Sequence, residues 1–138
     1  MTRLIDARLP LRCSLLIRVQ KTPVLVTNGS IEISQLSYRY PGPSDEHCAL
    51  LGVSFTVEPG EFVVLHGVSG SGKSTLLAIL AGLLIPVEGV VQCAGVDLTT
   101  TDSDQRAHYR ATRSAVVFQE FNLLTMLTVA ENVGLRLD

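Results

Sequence analysis

A chain of 138 residues suffices for one ordinary domain with its own core and is too short for two. With 46% apolar residues, 17% charged residues and a net charge of −2, it reads as a folded globular protein. No apolar run approaches the roughly 18 residues of a membrane-spanning helix, and no basic stripe interleaved with aromatics marks a nucleic-acid partner. Cys13, Cys48 and Cys93 are widely spaced, with no CxxC and no nearby histidine pair, and suggest neither a disulfide framework nor a zinc site. They read as reduced cysteines of a cytosolic protein. His47, His66 and His108 are scattered and receive no metal role.

Residues 1–30 hold five basic residues against one acidic one, a net +4, while the rest of the chain holds six against twelve, a net −6. Such a basic stretch reads either as a contact with an anionic surface or a targeting segment, or as a disordered or mis-started leader. The second reading is favoured. Arg12 and Arg18 interrupt the apolar residues 11–19, which therefore make a poor secretory segment. Asn28-Gly29-Ser30 marks the boundary between this leader and a main domain over residues 31–138.

Ile31, Ile33, Tyr38 and Tyr40 roughly alternate with polar residues and predict one or two strand pieces, closed by a Pro41-Gly42-Pro43-Ser44-Asp45-Glu46 loop. Leu51, Val53, Phe55 and Val57 alternate as in a half-buried strand. Glu58-Pro59-Gly60-Glu61 predicts a tight turn into an antiparallel partner, Phe62-Val63-Val64-Leu65, whose continuous apolar run predicts burial on both faces. Residues 75–84 predict a helix, apolar almost all round and so buried, weakened by Gly82 and stopped by Pro86. Residues 90–94 predict a strand. A polar helix follows over residues 102–113, with Asp102 and Gln105 spaced as a capping box. Ala115-Val116-Val117-Phe118 predicts a buried strand ending at Gln119, and Thr128-Val129-Ala130-Glu131 a second capping box.

The eight residues Gly67-Val68-Ser69-Gly70-Ser71-Gly72-Lys73-Ser74 match the Walker A pattern GxxxxGK[ST] in full, between a predicted strand and a predicted helix. Glycines let the backbone approach phosphate oxygens without an intervening Cβ. Successive N–H groups and the start of the helix then offer positive charge to an anion. The pattern assigns Lys73 to the β- and γ-phosphates and the Ser74 hydroxyl to Mg²⁺. An accidental glycine turn containing a lysine is the bland alternative, and the strand–loop–helix context weighs against it.

The residues around this loop narrow the reading. Ser69 to Leu77 reads Ser-Gly-Ser-Gly-Lys-Ser-Thr-Leu-Leu; then come Leu80-Ala81-Gly82-Leu83, Pro86-Val87-Glu88-Gly89 and Gly95-Val96-Asp97-Leu98. Val117-Phe118-Gln119-Glu120-Phe121-Asn122-Leu123-Leu124, Leu127-Thr128-Val129 and Glu131-Asn132-Val133 follow. Together these resemble the ATP-binding domain of ABC transporters, in the style of the lipoprotein-releasing and macrolide-efflux branch, over residues 31–138. The resemblance implies an α/β fold: a P-loop NTPase-like mixed sheet with a buried Walker A helix and an antiparallel β subdomain. It implies that Gly67, Ser69, Gly70, Ser71, Gly72, Lys73, Ser74 and Thr75 bind ATP. It also implies that Ser74 and Gln119 hold Mg²⁺, and that Gln119 orients the attacking water. Tyr40 is implied as the aromatic that stacks on adenine, favoured over Tyr38 because it lies at the strand–loop junction. The implied partners are a membrane permease and a second ATP-binding domain. The implied location is cytoplasmic, at the inner face of the membrane.

The same resemblance exposes departures. No apolar run ends in Asp-Glu, no Leu-Ser-Gly-Gly-Gln signature is present, and His108 precedes Gln119, the wrong order for a switch histidine. The expectation is a C-terminally incomplete domain whose apolar strand at residues 62–65 is left with an unpaired edge. Three readings follow: a truncated product of an ABC transporter ATPase gene, a non-hydrolysing ATP-binding remnant, and a small P-loop kinase. Gln119 and Glu131-Asn132-Val133 argue against the kinase.

Overall fold

The computed structural model describes residues 2–6, 15–20, 29–41, 48–119 and 123–135. All of the proposed 41–46 loop but Pro41, and the tripeptide Glu120-Phe121-Asn122, lie outside them. Two antiparallel sheets and three helices make up the described fold. One sheet has four strands in the order β4-β3-β6-β7: β3 (Ile31–Arg39), β4 (Cys48–Val57), β6 (Glu88–Cys93) and β7 (Val96–Asp97). The other has the order β1-β2-β5: β1 (Thr2–Asp6), β2 (Leu15–Gln20) and β5 (Phe62–Gly67). The helices are α1 (Lys73–Leu80), α2 (Ser103–Thr112) and α3 (Val129–Gly134). None is long and apolar enough to cross a membrane.

The first sheet differs from expectation. Two segments of the basic leader are strands, and β2 runs antiparallel along β5, with Leu16 opposite His66 and Val19 opposite Val63. Leu-Leu-Ile-Arg-Val-Gln has the composition a strand needs and takes up one edge of β5, while the other edge has no partner among the described strands. The predicted hairpin between β4 and β5 does not form. Their connection is a type II-like turn with Pro59 and Gly60 at its centre, closed by the Glu61 N–H donating to the Glu58 carbonyl at 3.0 Å. Turns of that hand splay the flanking strands, and β4 pairs with β3 while β5 joins the other sheet. Nor is β5 buried on both faces. Val63 and Leu65 pack on the core, whereas Phe62 and Val64 are exposed.

A bulge in β3 decides which of its side chains face inward. Ile33 is buried, and strict alternation would bury Gln35 with it and turn Leu36 and Tyr38 outward. Instead Gln35 takes a positive φ of 51°, and the pairing slips between Ile33 and Leu36. The Ser54 hydroxyl accepts from the Gln35 backbone N–H at 2.8 Å, replacing a ladder bond. One extra residue flips the parity of everything after it. Leu36 and Tyr38 therefore join Ile33 in the core, and Tyr40 continues the same register beyond the strand end.

The core lies between the four-stranded sheet and the first two helices. Leu36, Leu50, Val53, Leu76, Ile79, Val91 and Leu98 are its almost fully buried members. Helix α1 presents Thr75, Leu76 and Ile79 inward and leaves Leu77 exposed, so it is buried on one side and not all round. It ends four residues earlier than expected, in a Schellman arrangement: the Gly82 N–H reaches the Ile79 carbonyl and the Leu83 N–H the Ala78 carbonyl, each at 2.9 Å. Gly82 is thus the stop signal, ahead of Pro86. Helix α2 locks onto this terminus through Tyr109, whose hydroxyl donates to the Leu80 carbonyl at 2.8 Å, and Arg110, whose Nη1 donates to the Gly82 carbonyl at 3.0 Å.

Both predicted capping boxes form, Asp102 with Gln105 and Thr128 with Glu131. At the second, the hydrogen bonds from Thr128 hold the Glu131 carboxyl below its ordinary range. The strand expected at residues 115–118 is absent. These residues have no ladder partner among the described strands, and Val117 is fully exposed.

Burial pushes the Cys93 thiol from its ordinary 9.0 up to about 11, and burial together with Cys93 raises the Tyr109 hydroxyl as well. Both groups are neutral acids that resist ionisation in the fold, while the unfolded chain ionises at ordinary values. Their stabilising contribution is complete below about pH 9 and is lost as pH rises towards 11. Urea unfolding at increasing pH should show the midpoint fall across that window, and Cys93→Val should reduce the fall.

Candidate functional site

The chain leaves β5 at Gly67 and enters α1 at Lys73, so the five residues between strand and helix, 68–72, are the body of the glycine loop. Gly72 is the N-cap of α1 at φ 87°, a left-handed conformation, and it offers no side-chain cap. The first-turn N–H groups of Lys73, Ser74 and Thr75 therefore face the loop with no capping side chain, which leaves an anion-attracting helix start. A Cβ on Gly72 would overlap the carbonyl oxygen of Ala49 and come within 2.8 Å of the Leu50 side chain. Glycine here is a requirement of the packing between α1 and the start of β4.

The Lys73 ammonium folds back over the loop. It donates to the carbonyls of Gly67 at 2.9 Å and Val68 at 2.8 Å, and to Ser71 Oγ at 3.3 Å. The Ser71 N–H closes the loop onto the Val68 carbonyl at 3.2 Å. Ser71 and Thr75 are almost wholly buried, while Ser69 and Ser74 are exposed.

A cleft of about 440 Å³ opens over this loop. Ser69, Gly70, Ser71, Gly72, Lys73, Ser74 and Thr75 line it from below, and Tyr40 and Gln119 border it. Tyr40 and Gln119, 79 positions apart in the chain, thus share one cavity wall. Gly67 stands outside the lining and contributes its carbonyl to Lys73. Sequence reasoning did not single out Cys48 and Ala49, which also line the cleft. No local pattern marks them, since they reach the loop only because β4 starts beside α1. Tyr40 shares a hydrogen bond with Thr75 Oγ1 at 3.1 Å, and its ring meets that of Tyr38 edge to face, with centroids 5.0 Å apart.

The chemistry of the lining fits a phosphate chain. Among the described residues it presents one ammonium, several hydroxyls and a carboxamide, and no carboxylate to repel an anion. A glycine loop of this geometry between strand and helix, beside an antiparallel sheet, defines the phosphate-loop class of nucleotide-binding folds. The family model for ABC transporters matches residues 50–137, and the chain belongs to that family.

The chain is 41% identical over 105 residues to an uncharacterised ABC transporter ATP-binding protein, Mb2593, of Mycobacterium bovis, a match covering 76% of this chain and 32% of that protein. It is 40% identical over 103 residues to the macrolide export ATP-binding/permease protein MacB of Salmonella choleraesuis, covering 75% of this chain and 16% of MacB. Among solved structures it is similar to the ATP-binding cassette MJ0796 in a dimeric, post-hydrolysis state bound to ADP and Pi. That match has a TM-score of 0.69 and 34% identity, over 78% of this chain and 46% of that one. The chain therefore spans about a third or less of the length of these two curated relatives.

Proposed function

We propose that this chain binds Mg·ATP in the cleft over residues 67–75, as the phosphate-holding part of the nucleotide-binding unit of an ABC transporter. The observation that supports it best is the convergence of the glycine loop, Tyr40 and Gln119 on one cleft with an anion-compatible lining. Lys73, released from the loop carbonyls, would neutralise the terminal phosphates, and the first-turn N–H groups of α1 would add their partial charge. Ser74 and Gln119 would hold the metal ion, and Gln119 would also orient water. Tyr40 would carry the base. Bound Mg·ATP supplies the transferable γ-phosphoryl group. In this reading the coupled partners are a membrane permease and a second ATP-binding domain, met at the cytoplasmic face of the membrane. A boundary near residue 30 belongs to the same reading, with residues 31–138 forming the nucleotide-binding part.

The lining also favours binding without turnover by the 138-residue polypeptide on its own. Phosphoryl transfer needs a positioned metal and an oriented water, and the described wall of the cleft holds no carboxylate to complete either. Calorimetric titration of the purified chain with Mg·ATP should show binding. A phosphate-release assay should show no rate above that of Lys73→Ala. Release that disappears in Lys73→Ala and survives repurification would overturn the second statement, and no binding at all would overturn the first.

A further inference from the structure

The hydrogen bond between Tyr40 and Thr75 joins two parts of the cleft that the sequence treats separately. Tyr40 stands just past the end of β3 and Thr75 lies in the first turn of α1, 35 residues further on. Thr75 is buried and fixed by the packing of α1, whereas Tyr40 is 47% exposed. An exposed tyrosine at a strand end ordinarily loses rotamer freedom when a ligand immobilises it, at a cost to affinity. Here two contacts already restrain it. Its ring rests against Tyr38, itself buried in the core, and its hydroxyl is tied to Thr75. Strand alternation puts the two rings, two residues apart, on one side, and the β3 bulge upstream of them makes that side the core side.

We propose that Thr75 is a positioning residue for Tyr40: its hydroxyl holds the tyrosine ring in place over the phosphate loop, so that the cleft discriminates a nucleoside triphosphate from bare triphosphate. The inference rests on reading the cleft as a nucleotide site. It assigns the Tyr40 hydroxyl a role that stacking alone does not require, because phenylalanine offers the same ring face.

The test is a double-mutant cycle on the full chain, by calorimetric titration with Mg·ATP and, separately, with magnesium and inorganic triphosphate. Tyr40→Phe should weaken Mg·ATP binding about twofold to tenfold, the worth of one hydrogen bond, and leave the triphosphate affinity in place. In a Thr75→Val background the same tyrosine substitution should have no further effect, and Thr75→Ser should restore it. Equal Mg·ATP affinity for wild type and Tyr40→Phe overturns the inference, as does a tyrosine effect that persists undiminished beside Thr75→Val. Should Thr75→Val fail to fold, Tyr40→Phe against wild type still decides. A wild-type chain that binds ATP no better than triphosphate overturns this inference and leaves the phosphate site standing, whereas one that binds neither overturns both.

Discussion

Lys73→Ala is expected to lower the affinity of the chain for Mg·ATP roughly tenfold to a hundredfold. A hydrogen bond to a charged group contributes about 1.5–3 kcal/mol, and each 1.4 kcal/mol is about a factor of ten in affinity. Lys73 supplies the only ammonium in the described lining of the cleft, so nothing else there replaces it. The same side chain ties down the Gly67 and Val68 carbonyls, and its removal also loosens the resting loop. Lys73→Met keeps the aliphatic stem and removes the charge. If charge is what binds, the two variants lose affinity alike while their thermal midpoints stay close to that of the parent. Unchanged affinity in either folded variant removes the phosphate-site reading.

Gly72→Ala should cost both stability and nucleotide affinity, and Gly70→Ala much less. Both glycines have left-handed backbones, at φ 87° and 79°, which an alanine occupies at a cost of about 1–2 kcal/mol. Only at Gly72 does the added methyl meet protein: the Ala49 carbonyl oxygen and the Leu50 side chain. Leu50 is fully buried, so β4 cannot yield there without disturbing the core, and overpacking of that kind adds about 1–3 kcal/mol. Nothing lies within 4 Å of the corresponding position at Gly70. The thermal midpoint of Gly72→Ala should fall by about 10 °C or more, with a loss of Mg·ATP affinity because the start of α1 must shift. Equal midpoints for the two variants would show that the contact with Ala49 does not restrain the loop.

The two capping boxes were readable because their partners lie three residues apart and the bonds close within one turn. The glycine loop was readable for the same reason: its spacing encodes a local backbone shape. The parity change between Ile33 and Leu36 is written in the sequence as well, as apolar residues at odd positions followed by Leu36, Tyr38 and Tyr40 at even ones. The bulge that accounts for it emerged only with the Ser54 hydroxyl that completes it. By contrast, β4 and β5 looked like a hairpin because they are adjacent in the chain. Their pairing is a competition among strands for edges, which β3 and β2 win. The residues 115–118 join no described strand, and their apolar character does not bury them.

By itself, then, the sequence determined the elements whose bonds are local: the phosphate loop, the caps, and the alternation that marks β3 and β4 as strands. Tertiary structure alone decided which strands pair, that Cys48 and Ala49 line the cleft, and that Tyr40 and Gln119 share that cleft with Lys73. The division follows from range. A local bond depends on a few neighbouring residues, whereas an edge, a cavity wall or a contact across 35 residues depends on every segment that could have taken the place instead.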